Sequence, residues 1–152
     1  MDLGGEEIES EQSLLEIVGS GHPDDAPAAM LRLGSWHKAA RRDQEARDWY
    51  QKAIGSDHAD VAPLAMVELG EVGVGYDIEW LERAVDSGHP DVVARAWFGI
   101  GEGWAHRNYV EAAKAYEEAY LTSHADYGPR AALALGMISF MHWDDRLSLI
   151  HI

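Results

Sequence analysis

Ser20-Gly21-His22-Pro23-Asp24 decides the fold, because the chain writes it four times. The other copies are Ser56-Asp57-His58-Ala59-Asp60, Ser87-Gly88-His89-Pro90-Asp91 and Ser123-His124-Ala125-Asp126. An alanine follows each histidine by seven residues (Ala29, Ala65, Ala96, Ala131) and a glycine by twelve (Gly34, Gly70, Gly101, Gly136). The histidines lie 36, 31 and 35 residues apart. A repeat period of roughly 20–50 residues marks stacked units, each too small to bury its apolar face alone. Stacks of this kind present long binding surfaces more readily than enclosed catalytic pockets.

Working outward from the histidine, each unit holds two apolar blocks. The first reads Ala29, Met30, Leu33, then Ala65, Met66, Leu69, then Ala96, Trp97, Ile100, then Ala131, Ala132, Leu135. Offsets of three and four place each set on one face of a helix, here called helix A. The aspartate two residues past the histidine suits an N-cap whose carboxylate accepts from first-turn N–H groups. Pro27, Pro63 and Pro129 then stand at the third helical position, where a missing N–H loses no partner. The second block, helix B, reads Ala46, Tyr50, Ala53, Ile54, then Leu81, Ala84, Val85, then Ala112, Tyr116, Ala119, Tyr120. Unit two is five residues short. Either its helix A ends near Gly73-Val74-Gly75 or its turn is abbreviated. Leu14, Ile17 and Val18 precede the first histidine as a helix B would.

Composition narrows the function classes. The formal net charge of −15 argues against nucleic acid, whose phosphates want Lys and Arg on the reading surface. It favours a basic or neutral protein partner. The absence of cysteine removes disulfides, thiolate nucleophiles and cysteine metal sites, and suits a reducing cytoplasm. No stretch approaches the roughly 18 apolar residues of a membrane span. The acidic N-terminus is opposite in charge to a secretory signal.

The residues that invite chemistry have blander roles. One zinc needs its donors about 2.0–2.2 Å away, whereas equivalent atoms of neighbouring repeats lie on the order of 10 Å apart. His22, His58, His89 and His124 therefore cannot share an ion, and each is expected to bond the backbone of its turn or to pack on the next unit. Asp24-Asp25, Asp43-Glu45 and Asp144-Asp145 sit at helix starts, where the macrodipole favours negative charge. Gly70-Glu71-Val72-Gly73-Val74-Gly75 and Gly99-Ile100-Gly101-Glu102-Gly103 lack the strand and the Lys-Ser/Thr of a phosphate loop. The glycines of helix A in unit three should loosen it. Trp97, Trp104 and Tyr116, at helical spacing, are core in preference to a ligand cage. No catalytic residue, cofactor or metal site is expected.

The Leu33-Gly34, Leu69-Gly70, Ile100-Gly101 and Leu135-Gly136 pairs, with Ala46-Tyr50-Ala53 and Ala112-Tyr116-Ala119, resemble the tetratricopeptide repeat. The phrase Ser-Gly-His-Pro-Asp-x-x-Pro-x-Ala is similar to a bacterial, often actinobacterial, variant with a unit of about 36 residues. Asp77, where the first helix B alanine should stand, and Arg41-Arg42, in place of Gly-Asp at the turn, depart from the pattern. The resemblance implies an all-α superhelix of helix-turn-helix repeats and a non-catalytic scaffold that holds a peptide or partner helix in a concave groove lined by the A helices. Its groove positions fall on Ala28, Leu31 and Ser35, on Leu64, Val67 and Glu71, on Arg95, Phe98 and Glu102, and on Arg130, Leu133 and Met137. The alternative arrangement makes Leu31, Val67 and Leu133 inter-repeat core. The alternative function is a regulatory or sensor segment of a larger enzyme or signalling protein.

The expected organisation is an acidic disordered tail over 1–10 and a repeat array over 11–146. The array opens with a half-unit at 11–19 and has units from about 20, 56, 87 and 123, the last incomplete. Leu147-Ser148-Leu149-Ile150-His151-Ile152 translates CTGTCTCTTATACACATC, which resembles a transposon end used in sequencing libraries. The segment 147–152 is therefore read as an adapter artefact that replaces the rest of the natural chain.

Overall fold

The computed structural model describes residues 10–143. Asp144-Asp145, the segment 147–152 and all but the last residue of the acidic tail lie outside the described residues. Among the described residues every regular element is helical: α1 (Glu11–Gly19), α2 (Asp25–Ala39), α3 (Asp43–Gly55), α4 (Val61–Gly70), α5 (Ile78–Asp86), α6 (Pro90–Trp104), α7 (Tyr109–Leu121) and α8 (Tyr127–Met141). The A helices are α2, α4, α6 and α8, and the B helices are α1, α3, α5 and α7. The chain forms two compact units that divide between Gly73 and Val74. In the first, α1 packs on α2, α2 on α3 and α3 on α4, and α2 also meets α4. In the second, α5 packs on α6, α6 on α7 and α7 on α8, and α6 also meets α8. Each unit is thus a B–A–B–A run, an all-α repeat fold.

The fourfold phrase turns out to be a joint between the end of helix B and the start of helix A. The hydroxyl two residues before each histidine donates back to the helix B backbone: Ser20 to the Ile17 carbonyl, Ser56 to Ala53, Ser87 to Ala84 and Thr122 to Ala119. The same oxygen accepts the N–H of the histidine, at 3.3–3.4 Å in all four copies. Between them lies a residue with left-handed φ: Gly21 at 65°, Asp57 at 56°, Gly88 at 68° and Ser123 at 57°. A left-handed residue just past a helix end is the usual way to turn the chain out of the helix. Glycine takes it without strain, and a short polar side chain tolerates it.

The histidine then caps helix A, which corrects the expectation that the aspartate does so. Nδ1 of His22 accepts the N–H groups of Asp24 and Asp25 at 3.4 and 3.3 Å. Nδ1 of His58 accepts those of Asp60 and Val61, and Nδ1 of His124 those of Asp126 and Tyr127. The histidine carbonyl also takes the first intrahelical bond, from Ala26, Ala62 and Gly128. Asp24, Asp60 and Asp126 have right-handed helical φ/ψ and make no side-chain capping bond. The physical reason is occupancy. An aspartate cap would reach the N–H groups two and three residues on; the first of these already donates to the histidine carbonyl, and the second position is Pro27, Pro63 or Pro129, which has none. In unit three the helix opens earlier, at Pro90, with His89 at the cap. Because Nδ1 is an acceptor, Nε2 carries the ring proton, and in His58 that nitrogen lies 3.1 Å from Asp24 Oδ1. Asp24 therefore ties the second joint to the first.

The shortage in unit two resolves in favour of an early end. Helix α4 has 10 residues where α2, α6 and α8 have 15. Gly73 and Gly75 follow with φ of 90° and 99°. Asp77 is the residue before α5, so the missing alanine position lies outside that helix.

The Leu-Gly pair explains how A meets B. Leu33 and Leu69 are buried, each worth about 1.5–3 kcal/mol against exposure. A Cβ at Gly34 would stand 2.4–2.9 Å from ring carbons of Tyr50, and one at Gly101 would stand 2.5–2.9 Å from those of Tyr116. The glycine leaves a socket and the helix B tyrosine fills it. In α6, a Cβ at Gly99 would meet Leu81 at 3.0 Å, and one at Gly103 would meet Ile78 at 3.1 Å. These glycines admit α5 closely, so the expected loosening gives way to tight packing. Trp97 and Trp104 pack against the buried cluster of Ala112, Tyr116, Ala119 and Ala131, as core.

Candidate binding faces on the A helices

In the first unit the expected groove residues fall on α2 and α4, apart from Glu71, which follows α4. Ala28, Leu31, Leu64 and Glu71 are half-buried and Ser35 is exposed. Val67 is fully buried, which removes it from the lining and makes it core, the alternative the pattern left open. The polar members are bound to their neighbours. The Tyr50 hydroxyl reaches Ser35 Oγ at 3.3 Å and Glu68 Oε2 at 3.4 Å. Lys38 Nζ lies 2.9 Å from Glu68 and 4.0 Å from Glu71. Lys38 and Glu68 were not singled out in the sequence, although Lys38 stands four residues past Gly34 on the same face. This face is stitched by its own ion pair and hydroxyl.

In the second unit Arg95, Phe98 and Glu102 line α6 and are half-buried, while Arg130, Leu133 and Met137 on α8 are exposed. The structure brings α6 and α8 together through aromatics. The Phe98 ring centroid is 5.5 Å from that of Tyr116 and 5.8 Å from that of Tyr127. The Arg130 guanidinium lies 5.5 Å from the Tyr127 centroid, within cation–π range. Tyr127 is the residue that sequence reasoning missed. Its signal was an aromatic three residues after the histidine, where the other units have Asp25, Val61 and Val92.

Glu102 accepts the Tyr116 hydroxyl at 2.5 Å. Burial first, then the hydrogen bond to Glu102 and its charge, push the Tyr116 phenol well above the ordinary tyrosine range. The pair is structural: the tyrosine stays neutral and fixes the carboxylate.

The imidazoles of His22, His58 and His124 bond the backbone of their own turns. Among the described residues no group of three or more His, Cys, Asp or Glu is placed to hold a metal ion. Among those residues, too, no helix is long and apolar enough to cross a membrane. The segment Gly99–Gly103 is interior to α6 and forms no phosphate-binding loop. Comparison with known proteins finds no matching family model, no matching curated protein and no matching solved structure.

Proposed function

We propose that this chain is a non-catalytic protein-interaction scaffold of the tetratricopeptide type, which takes a peptide or partner helix along the faces of its A helices. The observation that carries the reading is the α6–α8 face of the second unit. There Phe98 and Tyr127 form a half-buried aromatic floor, flanked by Arg95 and Arg130, with Leu133 and Met137 exposed beside it. An apolar floor with fixed charges at its edge suits a segment that carries both an apolar anchor and charges, the helix-in-groove style of recognition. Leu133 and Met137, one helical turn apart, are exposed side by side here, and adjacent apolar residues mark an interface where scattered ones do not. With a net charge of −15, the partner is as a whole a basic or neutral protein in the cytoplasm, neither nucleic acid nor a bilayer, and its docking segment meets Arg95 and Arg130 with a carboxylate.

The test is affinity capture on the immobilised chain, with mass spectrometry of what is retained. It compares the wild type with the double variant Arg95→Glu, Arg130→Glu, after circular dichroism has shown equal helix content. A specific protein held by the wild type and lost by the variant is expected. Equal capture by both would remove this face as the binding site, and capture of nothing specific by the wild type would remove the scaffold reading.

A further inference from the structure

The joint that opens helix A uses a titratable side chain as its cap. In three copies the histidine Nδ1 accepts two first-turn N–H groups. His22 takes those of Asp24 and Asp25 at 3.4 and 3.3 Å, His58 those of Asp60 and Val61 at 3.3 Å each, and His124 those of Asp126 and Tyr127 at 3.2 and 3.4 Å. Only a neutral ring with its proton on Nε2 can do this. An imidazolium is a donor at both nitrogens. A protonated ring would aim a third N–H at the other two and bring a cation to the positive end of the helix. The common caps, serine, threonine, aspartate and asparagine, carry no such liability near neutral pH. Histidine is the one side chain whose ordinary titration falls between about pH 5 and 8.

We propose that the joint is a pH-sensitive latch, in which protonation of the histidine releases the first turn of the helix A that it caps. The groups facing each ring set how strongly its latch responds. Nδ1 of His22 lies 3.4 Å from Asp25 Oδ2, which can accept the added proton, and the ring is exposed, so this latch responds least. Nε2 of His58 lies 3.1 Å from Asp24 Oδ1, a carboxylate that reaches it from the start of α2. The Nε2 proton makes that bond in both states. Asp24 is 75 % exposed, so its charge favours the imidazolium only weakly. Among the described residues His124 has no ion-pair partner, and the group facing it is the tilted, uncharged ring of Tyr127 at 5.3 Å. The response is therefore largest at His124. Its direction is distinctive. In a chain of net −15, mild acidification relieves self-repulsion and favours the folded state. The latch works the other way, because the unfolded chain binds protons on these rings that the capped chain does not. Tyr127, whose N–H is one of the two that His124 holds, is also the floor of the α6–α8 face, so a segment bound there would leave as pH falls. That consequence alone rests on the face being a binding site; the latch itself does not.

The test compares the full chain with the triple variant His22→Asn, His58→Asn, His124→Asn in urea unfolding, read by circular dichroism, between about pH 8 and pH 5.5. Asparagine places an acceptor oxygen at the reach of Nδ1, is a favoured N-cap and does not titrate. His37, His89 and the other histidines titrate in both proteins and cancel in the ratio. The unfolding constant of the wild type relative to the variant should rise by about tenfold or more across this range, since each proton taken up only on unfolding contributes up to tenfold per pH unit. Of the single variants, His124→Asn should remove most of the rise and His22→Asn least; if the triple variant does not fold, the singles carry the same comparison. A ratio that stays flat would overturn the proposal. So would a ratio that falls, because the facing carboxylates would then have won, or a rise that His22→Asn removes most. Ring-nitrogen NMR at about pH 8 is the second measurement. The latch requires the proton of His124 on Nε2, and a proton on Nδ1 would overturn it.

Discussion

Helices α4 and α8 open on nearly the same words and end in different surroundings. His58-Ala59-Asp60 and His124-Ala125-Asp126 cap them in the same way, and Pro63 and Pro129 stand third in each helix. Yet Val67 is fully buried while its counterpart Leu133 is 68 % exposed, and Gly70 is buried while Gly136 is open. The local code therefore specifies an A helix and its apolar stripe completely, and says nothing of whether the stripe is covered. Cover comes from what packs on the helix, for α4 from α3 and α2, and a repeat array is stable only as neighbouring elements supply it.

The sharpest way to separate filled from empty sockets is to add a methyl group. Gly34→Ala or Gly101→Ala forces a Cβ into a tyrosine ring of a packed core, and should cost about 1–3 kcal/mol or more. Gly136→Ala meets open space and gains helix propensity, so it should stabilise by roughly 0.5–1 kcal/mol. Thermal melts of the three variants check this, and loss of stability in Gly136→Ala would mean that the third socket is filled too. The next contrast is truncation. Val67→Ala, at a fully buried site, should destabilise by about 1–3 kcal/mol. Leu133→Ala should stay within about 0.5 kcal/mol, as surface changes do.

How much of this was legible in the sequence follows from the range over which each signal acts. The joint, the two helices per unit and the Leu-Gly to Tyr match repeat within one unit, so periodicity displays them. Aspartate is among the commonest N-caps, so the pattern points to it. Only the geometry shows the histidine taking the first-turn N–H groups, two on its imidazole and the next on its carbonyl. The stitching of Lys38 to Glu68 and the meeting of Phe98 with Tyr127 join different repeats at unrelated offsets, and no pattern within a unit reveals them. Val67 and Leu133 occupy the same groove position and could not be told apart, because their difference lies in what covers them.

The joint itself allows a smaller test common to α4 and α8. His58→Ala and His124→Ala remove the acceptor for two N–H groups each, and should each cost about 1 kcal/mol in denaturant unfolding. Asp60→Ala and Asp126→Ala, which take no capping bond away, should cost less than half of that. A larger loss from the aspartates would return the cap to the carboxylate.

A further contrast, in pH dependence, concerns Tyr116. Its phenol is held above the ordinary range, so its contribution to stability is fully present below about pH 10, where the unfolded tyrosine is still protonated. That contribution is lost as pH rises beyond this point. Tyr116→Phe should remove roughly 0.5–1.5 kcal/mol at neutral pH and flatten the alkaline limb of the stability profile. An unchanged alkaline limb would mean that the Glu102 bond contributes nothing.

Native-state hydrogen exchange at two amides tests the contrast between covered and open A helices most directly. Leu69 in α4 and Leu135 in α8 hold the same place in their helices, one residue before the glycine. Exchange reports the free energy of local opening, which falls where apolar cover is missing. The amide of Leu135 should exchange markedly faster than that of Leu69, with the rest of α8 following it. Equal protection of the two amides would show that α8 is as well covered as α4, and would contradict the account of an open socket.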